Sequence, residues 1–255
     1  MNHTVTAAWY SPTGGTKTAV LGLAAALASP AKPQTLDLSS PVLARGYDFA
    51  PEDLVVFGGP VFGGVLPAPA ELALRTCRGH DTPAVICAVY GNRAFDDALV
   101  QLYDQLTAQG FRVIAGAGLL ARHTLALSVA QGRPDADDFA DYHHFADAIR
   151  TKLESENFQA PEFPGHRPYK TYQKPTVTPL PGDACTHCGL CAAQCPVSAI
   201  DPQTLLASTD RCFLCMRCVL NCPAHARALA PKAAQGYEQK LSPLAAVRRP
   251  NELFL

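Results

Sequence analysis

Apolar and amphipathic segments alternate along the first 158 residues of the chain. Short apolar runs bounded by glycine or proline are typical of strands covered on both faces of a sheet, and apolar residues at helical spacing are typical of helices. The pattern predicts strands over residues 5–10, 34–38, 54–57, 84–90 and 111–117, with Gly58-Gly59-Pro60 ending the third. It predicts helices over residues 16–28, 71–77, 94–109 and 135–154. This alternation indicates an α/β fold with a parallel sheet.

After residue 158 the composition of the chain becomes rich in proline. Residues 159–183 contain six prolines, and a segment so rich in proline continues neither a helix nor a central strand. We therefore predict a 25-residue linker between a domain at 1–158 and a second domain at 184–230. Fully extended, the linker would reach on the order of 75 Å at ~3.1 Å per residue, which leaves open whether the second domain faces its own chain or a partner in a homodimer. Residues 231–255 are expected to be a tail that packs on one of the domains.

Eight of the ten cysteines lie in two copies of the spacing C-x2-C-x2-C-x3-C-P, which are offset by 27 residues. An iron–sulfur cubane needs four soft thiolate ligands, and three cysteines at this spacing wrap one face of the cube within a single turn of backbone. The fourth ligand must then come from elsewhere. The repeat predicts two 4Fe-4S clusters. The first copy is Cys185, Cys188, Cys191 and Cys195, and the second is Cys212, Cys215, Cys218 and Cys222.

Structural zinc and disulfide bonds are the alternatives for these cysteines. Zinc sites usually pair two C-x2-C knuckles across a longer loop, and a third cysteine two residues on crowds a tetrahedral site. Disulfides require a secreted chain, and residues 1–4 lack the basic region of a secretion signal. His187 is expected to be a solvent-facing loop residue rather than a ligand. Cys77 and Cys87, which lie in apolar segments, are expected to be small buried side chains.

A run of hydroxyl and glycine residues lies between the first predicted strand and the first predicted helix. Its hydroxyls, the backbone amides freed by its glycines and the positive end of the helix dipole would bind a phosphate. A Walker A motif is excluded, because it needs Gly-Lys-Thr where this chain has Gly15-Thr16-Lys17. Taken alone, the run also fits an ordinary capped turn. The candidate phosphate-binding residues are Ser11, Thr13, Gly14, Gly15, Thr16 and Lys17, of which Lys17 has no assigned role.

Two further loops follow the third and fourth predicted strands. In a doubly wound sheet all three loops lie at the carboxyl edge of the strands and open on one crevice. Phe62 offers an aromatic surface, Tyr90 a stacking ring, and Asn92 a hydrogen bond to a heterocycle edge. A phosphate anchor with two such walls is what a mononucleotide with a tricyclic ring requires. The candidate wall residues are Pro60, Val61, Phe62, Gly63, Tyr90, Gly91, Asn92 and Arg93.

Composition and charge narrow the class of protein further. Charged residues make up 17% of the chain and the formal net charge is -1. The basic residues are scattered, so no nucleic-acid partner is predicted. The longest apolar run, residues 19–28, is too short to span a bilayer. A chain with cluster cysteines and no secretion signal is expected in a reducing, anaerobic cytoplasm.

These motifs carry a resemblance to known families. Residues 1–158 resemble a flavodoxin, whose phosphate loop has the pattern Thr/Ser-x-Thr-Gly-x-Thr, and Ser11, Thr13, Gly14 and Thr16 match it. Residues 184–230 resemble a bacterial two-cluster ferredoxin. The whole chain is similar to the flavodoxin-ferredoxin fusion proteins of anaerobic bacteria, which commonly carry a glycine-proline-valine-aromatic loop and a Tyr-Gly-Asn-Arg loop. Those loops stand here at residues 59–62 and 90–93.

The resemblance implies both fold and cofactors. It implies a flavodoxin-like, doubly wound five-stranded parallel sheet in the order 2-1-3-4-5, with non-covalent FMN at its edge, followed by a small α+β ferredoxin-like domain. It also implies crossed ligation, in which the proline-marked cysteine of each copy binds the cluster of the other. One cluster is then held by Cys185, Cys188, Cys191 and Cys222, and the other by Cys212, Cys215, Cys218 and Cys195.

The predicted function follows from the two kinds of cofactor, because each cluster carries one electron at a time and a flavin holds one or two. It predicts an electron-transfer protein that exchanges low-potential electrons with soluble redox partner proteins. The alternatives are an FMN-dependent reductase that acts directly on a small organic substrate or cofactor, and a cluster-based sensor, for which the chain lacks an effector module. No catalytic acid or base is assigned.

Two remaining motifs are given weaker readings. Residues 116–121 match G-x-G-x-x-A, but no further strand is predicted to close a βαβ unit, so no dinucleotide site is expected there. His123 follows the last strand on the ligand side of the sheet. It is interpreted as a satisfied loop histidine, with a hydrogen bond to the flavin edge as the alternative.

Overall fold

The computed structural model describes residues 3–40 and 46–255; Met1, Asn2 and residues 41–45 lie outside the described part. The strands are β1 (Thr4–Trp9), β2 (Gln34–Asp37), β3 (Tyr47–Phe49), β4 (Asp53–Pro60), β5 (Cys77–Gly79), β6 (Thr82–Tyr90), β7 (Phe111–Leu120), β8 (Leu180–Pro181), β9 (Arg227–Ala228) and β10 (Glu252–Phe254). The helices are α1 (Gly15–Ala28), α2 (Ala68–Leu74), α3 (Ala98–Ala108), α4 (Ala136–Glu154), α5 (Leu190–Ala193), α6 (Arg217–Leu220) and α7 (Pro231–Leu241), and a 3-10 helix spans Ser242–Ala246.

The central sheet has the order β10-β7-β6-β4-β1-β2. Its five strands from the first 120 residues are all parallel, and numbered by themselves they run 2-1-3-4-5. This is the strand order of the flavodoxin-like doubly wound fold, so the predicted fold class is confirmed. The sixth strand, β10, comes from the C-terminal tail and pairs antiparallel with β7. Two small sheets complete the fold, a parallel pair of β3 with β5 and an antiparallel pair of β8 with β9.

Helices cover both faces of the sheet, as the continuous apolar strands require. In β4, Val55 and Phe57 belong to one core and Leu54 and Val56 to the other, so the two sides alternate. Helices α1 and α4 pack on the face of Leu54 and Val56, and α2 and α3 pack on the opposite face. Cys77 and Cys87 are buried in these cores, which confirms the prediction for both.

The third predicted strand does not end at Gly58-Gly59-Pro60; β4 continues through all three residues. A Cβ atom on Gly58 would lie 2.1 Å from Cγ2 of Val20, and one on Gly59 would lie 2.5 Å from a methyl carbon of Leu66. These glycines therefore permit close packing of α1 and of the segment after β4, rather than a turn. The glycines of the 116–121 motif likewise lie inside β7, which runs to Leu120, and no dinucleotide loop exists there.

We expect Gly58→Ala to destabilise the protein by about 1–3 kcal/mol, because the added methyl group overpacks the contact between β4 and Val20. Urea unfolding followed by far-UV circular dichroism measures the change. Gly236→Ala is the control, since a Cβ atom at that position of α7 meets nothing within 4 Å and alanine favours a helix. Unchanged stability of Gly58→Ala would contradict the packing role.

The predicted linker is bound along α3 rather than extended. Phe163 is buried in the core, where its ring lies 5.4 Å from that of Tyr103. Asp97, which is 1% exposed, accepts hydrogen bonds from the backbone amides of His166 (2.9 Å) and Lys170 (2.8 Å). The reach of a free polyproline segment is therefore not realised, because acidic side chains of α3 and its preceding turn hold the linker.

The same segment forms ion pairs further along α3. Asp104 accepts two hydrogen bonds from the Arg167 guanidinium, at 2.7 and 2.6 Å, and a third from the Tyr169 hydroxyl. Lys170 pairs with Asp96 at 2.8 Å. We call this set of contacts between residues 163–170 and α3 with its preceding turn the linker clamp. It holds the linker against the first domain ahead of residues 184–230, which we call the cysteine module.

The tail packs on the first domain with a defined path. Helix α7 and the 3-10 helix lead to β10 at the sheet edge. Arg248 pairs with Asp135 at 2.6 Å, and Asn251 donates to Asp138 and Asp141 at 2.8 Å each. In the described part of the chain, no helix combines the length and apolar character needed to cross a membrane.

Candidate functional site

A cavity of about 340 Å³ lies at the carboxyl edge of the parallel strands, a volume in the range of small-ligand pockets. Four loops of the first domain line it, those that follow β1, β4, β6 and β7, as the sheet topology requires. The linker, the cysteine module and α7 form the rest. We call it the central cavity. Its lining includes Pro12, Thr13, Gly15, Thr16, Pro60, Val61, Phe62, Gly63, Val89, Tyr90, Gly91, His123, Tyr172, Leu214, Cys215, Tyr237 and Lys240.

The loop between β1 and α1 is shaped by its own hydroxyls. The Ser11 amide donates to Oγ of Ser39 at 2.6 Å, and Oγ of Ser11 accepts from the Lys17 amide at 3.0 Å. Gly14 adopts a left-handed φ of 92° just before the helix. The first turn of α1 contains no acidic residue, so the positive end of its dipole favours an anion in the cavity. Thr13, Gly15 and Thr16 line that end of the cavity.

The remaining loop residues predicted to bind phosphate have other roles. Ser11 and Gly14 shape the loop but do not line the cavity. Lys17 is exposed, and its Nζ lies 5.6 Å from the centroid of the Trp9 ring. Lys17 therefore makes a cation–π contact outside the cavity.

The end of β4 and the loop after it supply all four of their predicted residues, Pro60, Val61, Phe62 and Gly63, to the cavity lining. The Phe62 ring also lies 6.3 Å from Tyr172 of the linker and 5.5 Å from Phe213 of the cysteine module. The Tyr172 hydroxyl donates to the Phe213 carbonyl at 3.0 Å. These three rings join the cavity wall to the linker and the module.

The loop after β6 agrees only in part with its predicted role. Tyr90 and Gly91 line the cavity, but the Tyr90 ring is buried and packs edge-on against Phe95, at a centroid distance of 5.4 Å. The Tyr90 ring therefore contributes to the core as well as to the cavity wall. Arg93 pairs with Asp96 and does not line the cavity.

Asn92 lies outside the cavity lining as well. Its side-chain NH2 donates to the carbonyls of Leu244 (2.8 Å) and Val247 (2.6 Å), and its Oδ1 accepts from the Arg249 amide at 3.3 Å. Both donor hydrogens are thus used by the C-terminal segment. The predicted hydrogen bond from Asn92 to a ring edge is not available in this geometry, and the side chain instead anchors the tail.

Several cavity residues were not identified from the sequence, because they belong to the loop after β7, the linker and the tail and carry no motif. His123 was considered, and it does line the cavity. Its Nδ1 accepts from the Leu125 amide at 3.1 Å, so the neutral ring carries its proton on Nε2. Burial, with the nearby Arg93 charge, lowers the pKa of His123 below its ordinary value of 6.5, which favours the neutral form.

The eight repeat cysteines line two small pockets in the cysteine module. One pocket is lined by Cys185, Cys188, Cys191 and Cys222, which we call the outer thiols. The other is lined by Cys195, Cys212, Cys215 and Cys218, which we call the inner thiols. Each pocket joins three cysteines of one copy with the proline-marked cysteine of the other, the arrangement that crossed ligation requires.

The backbone repeats with the same offset of 27 residues as the cysteines. Left-handed φ angles recur at His187 (54°) and Leu214 (59°), and at Gly189 (73°) and Met216 (66°). His187 itself is exposed, in agreement with its predicted role. The two copies therefore wrap their pockets with one local conformation.

The surroundings of the thiols fit an iron–sulfur cluster. The Ala199 amide lies 3.2 Å from Sγ of Cys195, and the Ala226 amide lies 3.4 Å from Sγ of Cys222, again 27 residues apart. Such N–H donors to sulfur stabilise the charge of a cluster. Within the described ranges, no three His, Cys, Asp or Glu side chains are grouped to hold a single metal ion. Thiols around a pocket suit a cubane better than a zinc ion.

The central cavity and the two pockets lie in series. Cys215 lines both the inner pocket and the central cavity. Cys188 of the outer thiols is exposed at the surface. The buried Arg227 donates to Sγ of Cys191 at 3.8 Å and to the carbonyls of Leu205 and Pro179, and so braces the module from within.

A five-stranded parallel sheet in flavodoxin order, followed by a module with two cysteine pockets, defines a flavodoxin-like protein with a cluster-binding module. Comparisons with known families agree with the second part: residues 182–201 and residues 209–227 each match a family model described as a 4Fe-4S binding domain. The predicted fusion of a flavodoxin-like domain with ferredoxin-like segments is thereby confirmed, and it supports an electron-transfer function.

Solved structures and curated sequences give two further findings. A flavodoxin from the domain Archaea is similar in structure over 59% of this chain and 98% of its own length, with 15% sequence identity and a TM-score of 0.42. Among curated proteins, no sequence matches this chain.

Proposed function

We propose that this chain is an electron-transfer protein that binds FMN non-covalently in the central cavity and one 4Fe-4S cluster at each set of thiols. The observation that carries the proposal is the double position of Cys215, which lines both the inner pocket and the central cavity. FMN accepts one or two electrons, whereas each cluster carries one at a time. The chain would thereby couple single-electron partners to a two-electron cofactor.

The residues of the chain would bind the flavin and set the order of the two clusters between the flavin and the surface. The N-terminal end of α1, with Thr13 and Thr16, would hold the phosphate of FMN. The outer thiols reach the surface at Cys188, where a soluble redox partner protein would exchange electrons. The inner thiols lie between that surface and the cavity. Electrons would pass through the two clusters in this order when they travel to the flavin, and in the reverse order when they leave it.

The alternative, a reductase that acts directly on a small organic molecule, needs substrate space beside the flavin. Leu214, Cys215 and Tyr172 line the cavity together with the loops of the sheet, so the cysteine module and the linker occupy part of its wall. A cavity of about 340 Å³ is near the lower limit for ligand pockets, and the cofactor itself would take up that space. This geometry favours an electron-transfer protein over a reductase.

Anaerobic purification followed by iron, sulfide and flavin analysis tests the proposal. We expect about eight irons, as many sulfides and about one FMN per chain, from two cubane clusters and one flavin. Stepwise reductive titration should then resolve separate cluster and flavin transitions. Zinc without sulfide would overturn the cluster assignment, and cofactor-replete protein without flavin would overturn the assignment of the cavity.

We expect Thr13→Val to weaken FMN binding about 10–100-fold, because it removes a hydroxyl that would donate to a charged phosphate, a bond of about 1.5–3 kcal/mol. Titration of the flavin-free protein with FMN, followed by flavin fluorescence, gives the Kd. Thr18→Val is the matched control, since the exposed Thr18 hydroxyl donates to the Gly14 carbonyl and does not line the cavity. Equal affinities of the two variants would contradict the proposed phosphate site.

A further inference from the structure

A buried guanidinium lies beside the outer thiols. Arg227 is 4% exposed and lines the pocket of the outer thiols. It donates to Sγ of Cys191 at 3.8 Å, and to the carbonyls of Leu205 at 2.8 Å and Pro179 at 2.9 Å. Among residues 3–40 and 46–255, these hydrogen-bond partners include no carboxylate, and the buried Nε of Arg227 has no partner at all.

A charge in this position needs an anion. A guanidinium stays charged in a protein, and taking an unpaired charge out of water costs several kcal/mol. Two neutral carbonyls satisfy some of its N–H groups but do not balance the charge. The remaining contact is the sulfur of Cys191, which becomes anionic when it binds iron. A cluster with four thiolate ligands would therefore supply the missing negative charge.

The repeat shows that this buried charge belongs to one copy only. The residue that corresponds to Arg227 in the first copy is Ile200, which is 6% exposed and lines the pocket of the inner thiols. The backbone amides just before these two residues, those of Ala199 and Ala226, both lie close to a cysteine sulfur. The two copies thus share their backbone donors and differ at this position by one positive charge.

Cys191 lies where the two sets of thiols meet. It packs in one apolar cluster with Cys195, Cys212 and Cys218 of the inner thiols. Burial raises the pKa of Cys218, and the charge of Arg227 and a hydrogen bond from it oppose that rise. The guanidinium therefore touches the outer thiols at Cys191 and is within electrostatic reach of the inner thiols as well.

We propose that Arg227 is the counter-ion of the outer cluster and raises the reduction potential of that cluster through its contact with Sγ of Cys191. This inference rests on the proposed function, because it requires the cluster. A positive charge and a hydrogen bond at a ligand sulfur favour the reduced state, which carries one more negative charge. The cluster that reaches the surface at Cys188 would then have a higher affinity for an electron from a partner protein.

Arg227→Gln in the anaerobic holoprotein tests the inference, since glutamine is neutral but keeps an NH2 donor for a carbonyl. We expect the equilibrium constant for one-electron reduction of the outer cluster to fall about tenfold, which corresponds to a potential lower by about 59 mV. The potential of the inner cluster should shift in the same direction. A redox titration monitored by electron paramagnetic resonance gives both potentials, and the signal that Cys222→Ser removes identifies the outer cluster.

Arg211→Gln is the matched control. Arg211 precedes Cys212 in sequence, but its side chain is exposed, so water and salt screen its charge. We expect both potentials to stay at their wild-type values in this variant. A wild-type potential of the outer cluster in cluster-replete Arg227→Gln would overturn the inference and leave the proposed function standing. Absence of iron and sulfide from the wild-type protein would instead overturn the proposed function.

A measurement on the wild-type protein covers the case in which Arg227→Gln does not assemble its clusters. The guanidino nitrogens of arginine are labelled isotopically, and electron spin-echo envelope modulation is recorded on the reduced clusters. We expect a coupling to the labelled nitrogen, because in the described part of the chain Arg227 is the one arginine with a hydrogen bond to a cysteine sulfur. Reduced clusters without such a coupling would count against the contact between Arg227 and Cys191.

Discussion

Cys222→Ser is expected to remove the cluster held by Cys185, Cys188 and Cys191 and to spare the cluster beside its own sequence neighbours. The reason is geometric, since Cys222 lines the pocket of the outer thiols although it follows Cys218 in sequence. Serine is a hard oxygen donor and a poor substitute for a thiolate on iron. Iron per chain should fall from about eight to about four, and one of the two cluster signals in electron paramagnetic resonance should be lost.

The first copy of the repeat provides the reciprocal control. Cys195→Ser should remove the inner cluster and leave the outer one, because Cys195 lines the pocket of Cys212, Cys215 and Cys218. Only this variant should interrupt electron flow between the surface and the flavin while the outer cluster still accepts an electron. Loss of the inner cluster from Cys222→Ser, or of the outer cluster from Cys195→Ser, would contradict the crossed arrangement.

Features that depend on local sequence were predictable. The cysteine spacing encodes three ligands within one turn of backbone, and the two pockets contain the cysteines that the repeat and the ferredoxin resemblance imply. The apolar runs of the strands have a two-sided environment that does not depend on a particular neighbour. Convergence of three loops at one edge follows from parallel topology alone, and residues of all three loops line the central cavity.

Features that depend on distant partners were not predictable. The sequence Gly58-Gly59-Pro60 is typical of a turn. The packing role of Gly58 is visible only in the folded chain, where Val20 of α1 lies against it. Asn92 has the chemistry to bind a heterocycle, but the tail carbonyls of Leu244 and Val247 engage its amide. Those partners lie more than 150 residues away, where no local pattern connects them.

The linker shows the same limitation more strongly. Its prolines correctly exclude a helix or central strand, yet proline content does not reveal whether a segment is free or bound. Binding here depends on carboxylates along α3, which taken as a sequence resemble ordinary solvent-exposed helix charges. The linker clamp is a tertiary feature, and it determines whether the cavity and the cysteine pockets stay in series.

We expect Asp97→Asn to release the linker clamp and to slow electron transfer between the clusters and the flavin by an order of magnitude or more. One carboxylate oxygen becomes an NH2 group, so one of the amides of His166 and Lys170 loses its acceptor. Hydrogen bonds to a charged group contribute about 1.5–3 kcal/mol, which corresponds to a shift of about 10–100-fold between bound and released linker. Flash-induced reduction of the clusters followed by flavin absorbance measures the internal rate.

Asp147→Asn is the matched control, because Asp147 pairs with Arg150 at the exposed surface of α4, away from the linker, where an ion pair contributes little. Small-angle X-ray scattering should show a larger radius of gyration for Asp97→Asn than for the wild-type protein. The control should have the wild-type radius of gyration. Trypsin should also cleave the variant faster at the bond between Lys170 and Thr171, the one site within residues 159–183 where a lysine or arginine is not followed by proline. A wild-type internal rate in Asp97→Asn would show that the remaining contacts hold the module without this carboxylate.

The pH dependence of the same contact follows from the sign of its pKa shift. Burial raises the pKa of Asp97, but hydrogen bonds from the amides of Lys170 and His166 outweigh burial, and the pKa lies below its ordinary value of 3.8. A carboxyl group whose pKa is lower in the bound state stabilises that state above its ordinary pKa and ceases to do so as the pH falls through the lowered value. The internal rate of the wild-type protein should therefore be constant from about pH 5 to about pH 8 and decline only at stronger acidity, whereas Asp97→Asn should be slow throughout. A wild-type rate that already falls between about pH 8 and about pH 6 would assign control of the clamp to a group other than Asp97.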